Sequence, residues 1–144
     1  MLKAFNHFPR ADDFPRDLWR WPNFTPEEMA DNRSGDLLIV PAFMDWLQVV
    51  RYQYGRPMHI TSGYRTPQHQ QLLPGGRITG AHVDGMAVDV KVYGSHALEL
   101  IKVACANDVM GLGVSQSGNH RSRYLHLDMW DKASAGVRPG MWSY

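Results

Sequence analysis

Residues 86–92 constrain this chain most: Met86, Val88, Val90 and Val92 alternate there with Ala87, Asp89 and Lys91. A period of two marks a strand with one face in a core, because successive side chains leave a strand on opposite sides. The apolar residues claim one face and leave Asp89 on the other. Residues 123–129 repeat the pattern, with Leu125, Leu127 and Met129 on one side and Tyr124, His126 and Asp128 on the opposite one. If these two strands are sheet neighbours, Asp89 and His126 share a face.

Helical signals surround the strands. Thr25-Pro26-Glu27-Glu28 is a capping box, in which Thr25 accepts from the Glu28 amide, Glu28 reaches back, and Pro26 takes the first helical position. A longer helix is predicted from Pro41 to Tyr54 on the stripe Phe43, Leu47, Val50 and Tyr54, ended by Gly55 and Pro57. Residues 58–62 read as a strand, Gly63 as a turn, and residues 67–73 as a short helix before the break at Pro74-Gly75-Gly76. Ser95 is expected to cap a helix with Leu98, Ile101 and Cys105 toward the core and Glu99 and Lys102 outside. Residues 110–115 form another expected strand. The expected class is therefore α+β, a small and mostly antiparallel sheet with flanking helices.

With no repeat, linker or low-complexity tract, residues 1–144 read as one domain. Its first 23 residues set Pro9, Pro15 and Pro22 among Phe5, Phe8, Phe14, Trp19 and Trp21, which predicts an arm packed over the core rather than a long helix. Fifteen basic against fourteen acidic side chains give a net charge of +1, too weak a field to point to nucleic acid. The first twenty residues lack the apolar run of a signal peptide, and no later run approaches a membrane span. Synthesis as a soluble cytoplasmic protein, without membrane insertion and as a monomer, is the expectation. Cys105 is the only cysteine, so no intrachain disulfide forms and any zinc site must draw on histidine and carboxylate.

His82 enters the strand that carries Asp89, seven positions earlier, and Gly85 permits the loop between them to turn. His82, Asp89 and His126 would supply two imidazoles and a carboxylate, leaving a fourth tetrahedral position for solvent, as in catalytic rather than structural zinc sites. A bound metal of that kind acidifies water and polarises a carbonyl, the needs of peptide hydrolysis. Taken singly, each residue also has an ordinary reading: a loop histidine, a strand carboxylate paired with Lys91, and a hydrogen-bonded sheet histidine. The same three donors would also suit a Mn²⁺ or Fe²⁺ oxygenase.

Three motifs in order carry a resemblance: Ser62-Gly63-Tyr64-Arg65-Thr66, then Gly80-Ala81-His82 through Gly85 and Ala87 to Asp89, then Tyr124-Leu125-His126-Leu127-Asp128. Together they resemble the zinc D-alanyl-D-alanine carboxypeptidase family. Phage endolysins belong to that family, and its metal-site fold is shared with the hedgehog signalling domain. The resemblance implies a single Zn²⁺ on His82, Asp89 and His126, with Arg65 lining a cleft for a peptidoglycan peptide. It implies hydrolysis of an amide bond by a carboxypeptidase or endolysin-type endopeptidase, in the setting of cell-wall degradation by a phage or prophage. Ser62 and Tyr124 join Arg65 as candidate substrate contacts, Ser62 mainly by shaping its loop.

The general base departs from the family pattern. Where relatives carry glutamate or histidine before the last ligand, this chain has Arg123 and Tyr124. His120, six before His126, is one candidate for moving protons. Asp128 is another, with orientation of a ligand as its preferred role. Tyr124 is placed to donate to an oxyanion. The missing glutamate leaves open an alternative function: a non-catalytic, zinc-stabilised module that binds cell wall or a protein partner, as in a phage particle.

Overall fold

The longest helix forms where the local signals agree. Pro41 opens it, Phe43, Leu47 and Val50 are buried along one stripe, and Gly55 closes it in the left-handed conformation at φ 74°. Burying each of those side chains is worth about 1.5–3 kcal/mol, which fixes the helix against the sheet. The structure, a computed structural model, describes residues 7–133 and 136–144. In chain order the helices are α1 (Pro26–Met29), α2 (Pro41–Tyr54), α3 (Pro67–Gln71) and α4 (Gly94–Ala106). The strands are β1 (His7–Phe8), β2 (Leu37–Leu38), β3 (His59–Ser62), β4 (Ala87–Lys91), β5 (Gly111–Ser115), β6 (Tyr124–Asp128) and β7 (Gly140–Ser143). The capping box of α1 is complete: the Glu28 amide donates to Thr25 Oγ1 at 3.2 Å, and the Thr25 amide to Glu28 Oε2 at 3.0 Å.

Apart from the small β1–β2 pair, the strands form one sheet in the order β3-β4-β6-β5-β7. All its pairings are antiparallel except β5 with β7, which is parallel, so the fold is α+β as expected. The register explains the two faces. Val88 and Val90 stand opposite Leu127 and Leu125, which in turn stand opposite Leu112 and Val114. This face meets α2 and α4 in a core that includes Phe43, Leu47 and Leu100. On the other face, Asp89 is opposite both Ser62 and His126, while Gly113 is opposite His126 and Gly111 opposite Asp128.

Two expectations for α4 fail. Its N-cap is Tyr93 rather than Ser95, and no side chain caps it. The buried face is Ala97, Leu100 and Ala104, whereas Leu98 is 54% exposed and Cys105 is exposed. Small alanines let this helix seat close to its neighbours, since the side chains at a contact set the interaxial distance. The helix thus turns Ala97, Leu100 and Ala104 inward and leaves Leu98 in solvent. Trp46 ties α2 to the end of α4, its indole donating to Asn107 O at 2.7 Å.

Where it is described, the aromatic arm packs on the core. Phe14 and Trp21 are buried in the core, and Phe8, Phe14, Trp19 and Trp21 meet edge to face at successive centroid distances of 5.1, 5.3 and 5.0 Å. The stretch containing Phe5 lies outside the described residues. No helix among the described residues is long and apolar enough to cross a membrane.

Candidate metal centre

Asp89 and His126 reach one face because β4 and β6 pair in register, and His82 reaches them from the loop before β4. That loop folds back through Gly85 at φ 69°, with the Gly85 amide donating to His82 O at 3.2 Å and the Met86 amide to Ala81 O at 2.9 Å. One ligand atom from each of His82, Asp89 and His126 lies within 4.8 Å of the others, and all three residues are buried.

The neighbouring hydrogen bonds decide which atoms face inward. His82 Nδ1 donates to Gly63 O at 2.7 Å, leaving Nε2 toward Asp89 Oδ1 at 3.4 Å. His126 Nε2 donates to Asp128 Oδ2 at 2.6 Å, leaving Nδ1 toward the same Asp89 Oδ1 at 3.3 Å. Outer hydrogen bonds of this type fix the tautomer and the ring orientation of metal-binding histidines.

This donor set fits a divalent metal. Tetrahedral zinc with bonds of about 2.0–2.1 Å separates its donors by about 3.3–3.4 Å, close to the two separations found here. Burial, opposed by Asp89, moves the His82 ring downward from its ordinary value and favours the neutral form that binds metal. His82 Nε2 and Asp89 Oδ1 face each other at 3.4 Å, longer than a good hydrogen bond and suited to a shared cation. Burial works against ionisation of Asp89, but His82 and His126 outweigh it and hold the carboxyl well below its usual range. Burial also opposes charge on His126, yet Asp128 and Asp89 move that ring upward. The negative charge around it thus attracts a cation, whether proton or metal.

The centre opens on a cleft of about 490 Å³, whose lining includes Arg65, Arg77, Tyr124, Arg138, Trp142 and Tyr144. Arg65 lines it, with its guanidinium already engaged. Nε donates to Ser62 Oγ at 3.1 Å, Nη1 to Gln70 Oε1 at 3.3 Å and Nη2 to Asp89 Oδ2 at 2.9 Å. Three of its five N–H groups are used, so two remain for a substrate. Ser62 is not among the cleft-lining residues; it is buried and positions Arg65 instead of meeting substrate. Tyr124 does line the cleft. Burial, with help from Tyr144, pushes its phenol upward, so it remains a proton donor.

Neither candidate for moving protons is placed to do so. His120 lies in a 3-10 turn beyond the end of β6, stacked on Tyr93 at 4.5 Å. The hollow it lines, about 370 Å³, shares no residue with the metal-side cleft. Counting six residues back from a ligand fails because the turn carries the chain past the sheet's end. Asp128 is 0% exposed and absent from the cleft wall. Its two oxygens accept from His126, the Trp130 amide and Arg138, which hold its carboxyl down to about 2 against the effect of burial. It orients the His126 ring.

Several contributors escaped the sequence reading. Buried Asp31 accepts from the amides of Arg33 at 2.7 Å, Ser34 at 3.2 Å and Thr66 at 2.7 Å, and pairs with His69, which braces the Arg65 loop. The strand β7 brings Trp142 to 5.0 Å from the His126 ring. A signal for the latter was present: Gly111 and Gly113 take the cleft-facing positions of β5, and glycine inside a strand marks a close approach. Added carbons there would meet Asp128 at 2.2 Å and Trp142 at 2.7 Å.

The family model described as Peptidase M15 matches residues 22–128, most of the chain and all three candidate ligands. Neither a curated protein nor a solved structure matches it.

Proposed function

The chain belongs to the M15 family of peptidases, and from that premise we propose that it hydrolyses an amide bond in the peptide stems or cross-bridges of peptidoglycan. One zinc ion, on His82, Asp89 and His126, is the cofactor of this reading. The observation that carries it is the convergence of those three donors, two of their separations at the tetrahedral spacing, beside an open cleft. When bound, zinc supplies Lewis acidity that polarises a carbonyl and acidifies water.

The chain's own residues bind and orient. Arg65 keeps Asp89 in place through one carboxylate oxygen and turns its two unused N–H groups to the substrate. The Tyr124 hydroxyl donates to the oxygen that gains charge as the carbonyl is attacked. Arg77 lines the cleft without a protein partner among the described residues, so it is the guanidinium free to take a substrate carboxylate. Trp142 and Tyr144 offer flat apolar surface beside the ligands. The proposed setting is wall digestion of the kind phage lysis enzymes perform.

One observation favours a second reading. Apart from the ligands, no residue lining the described cleft carries a carboxylate or an imidazole. A zinc-stabilised binding module has no use for one. Incubation with purified peptidoglycan, with and without chelator, separates the two. The peptidase reading requires new amino termini that appear only without chelator. Retention on peptidoglycan, with no new termini under either condition, would replace it with the binding module.

A further inference from the structure

Past the last family-matched residue, the chain makes a buried ionic arrangement that the proposed reaction does not use directly. Arg138 Nε donates to Asp128 Oδ1 at 3.1 Å, and Nη2 to Asp128 Oδ2 at 2.9 Å. The same Oδ2 accepts from His126 Nε2, and Oδ1 from the Trp130 amide at 3.1 Å. The guanidinium lies against two indoles, 5.4 Å from the Trp130 ring centre and 4.8 Å from that of Trp142. Strand β7, two residues after Arg138, carries Trp142 into this stack by pairing with β5.

We propose that Arg138 is a positioning residue of the metal centre, acting on His126 through Asp128. Without Arg138 the carboxylate would keep only the Trp130 amide besides His126 itself; so lightly held, it can rotate about its last torsion, and the imidazole bonded to it follows. Two parallel bonds from a planar guanidinium fix the carboxylate plane, and the flanking indoles restrict the guanidinium itself. Asp128 Oδ2 is then held as a fixed acceptor for His126 Nε2, and Nδ1 is the nitrogen aimed at the shared point between His82 and Asp89. Lysine preserves the charge but cannot make the paired bonds. The inference rests on reading His82, Asp89 and His126 as metal ligands.

The test uses the full chain as wild type, Arg138→Lys and Arg138→Gln, with zinc affinity measured by chelator competition. Circular dichroism and melting of the metal-free proteins report folding separately. Loss of an outer partner of a metal-binding histidine costs about ten- to a hundred-fold in metal affinity; Arg138 acts one step further out, through Asp128, so the lower end, about ten-fold, is the loss expected of each folded variant. Arg138→Lys, which retains a cation beside the buried carboxylate, is expected to fold. Zinc affinity within about twofold of wild type in either folded variant, even with a lowered melting temperature, would assign Arg138 a merely structural role and overturn the proposal. Unfolding of both variants would overturn it equally, since Arg138 would then serve the fold. A wild-type protein that binds no zinc would instead remove the metal-centre reading on which the inference stands.

Discussion

Replacing Gly111 with alanine tests how tightly the sheet encloses the carboxylate behind His126. The added carbon would stand 2.2 Å from Asp128 Oδ2 and 2.5 Å from its Cγ and Oδ1. Asp128 has no free rotamer to retreat to, because it is 0% exposed and both oxygens are bonded. Either β5 and β6 part, at the overpacking cost of about 1–3 kcal/mol, or the carboxylate moves and weakens charge-assisted bonds worth about 1.5–3 kcal/mol each. Relaxation shared between the two routes gives about 2–4 kcal/mol of destabilisation. At about 3 °C per kcal/mol for a chain of this size, the melting temperature falls by roughly 6–12 °C. Zinc affinity falls about ten-fold or more, because His126 loses its brace. Gly113→Ala is the comparison. Its new carbon meets the indole nitrogen of Trp142 at 2.7 Å and the phenol oxygen of the exposed Tyr144 at 2.9 Å, ends of side chains that can swing aside. Thermal melting in chelator and zinc competition read both variants. A Gly111→Ala protein that melts and binds zinc like wild type, or one less damaged than Gly113→Ala, would show that the sheet does not enclose Asp128 so tightly.

Asp31 is predicted to make stability depend on acid. Burial raises its carboxyl, but the Thr66, Arg33 and Ser34 amides and His69 prevail and hold it below the ordinary value. Its contribution is therefore fully present above the ordinary carboxylate range and is lost as pH falls through the lower folded value. Asp31→Asn should flatten the acid side of a urea-denaturation profile, and profiles parallel to wild type would contradict this. Arg77→Ala should raise KM several-fold with kcat little changed for peptides ending in a free carboxylate and leave amidated peptides unaffected; equal effects on both would remove Arg77 from that role. His120→Ala should hydrolyse at the wild-type rate, given its separate hollow, and a ten-fold drop in kcat would restore it as a proton carrier.

What the sequence made legible was local or periodic. Helix α2 follows from its stripe and its stops, and β4 and β6 follow from strict alternation, whereas the β4–β6 pairing is what set Asp89 and His126 on one face. Hidden features depended on packing between distant segments. The rotation of α4 was misjudged because Leu98 outweighs Ala97 and Ala104 on any hydrophobicity scale, yet close approach selects the alanines. Strand β7 has the short run Gly140, Met141, Trp142 and Ser143, too little alternation to declare itself, and only the parallel pairing with β5 brings Trp142 to His126. Arg138 precedes that strand and pairs with a carboxylate ten positions earlier, a contact that no local signal announces. His120 shows the converse error, since distance along the chain was taken for distance in space.

On the proposed reading, two imidazoles and one carboxylate hold a single zinc ion with room for solvent. Zinc-edge X-ray absorption on the loaded protein reads that directly. One ion per chain is expected, surrounded only by nitrogen and oxygen donors, with the scattering pattern of two imidazoles and an absorption edge altered in His126→Ala. Sulfur in the shell, which only Cys105 or a methionine could supply, or a spectrum unchanged by His126→Ala, would place the metal elsewhere than on His82, Asp89 and His126.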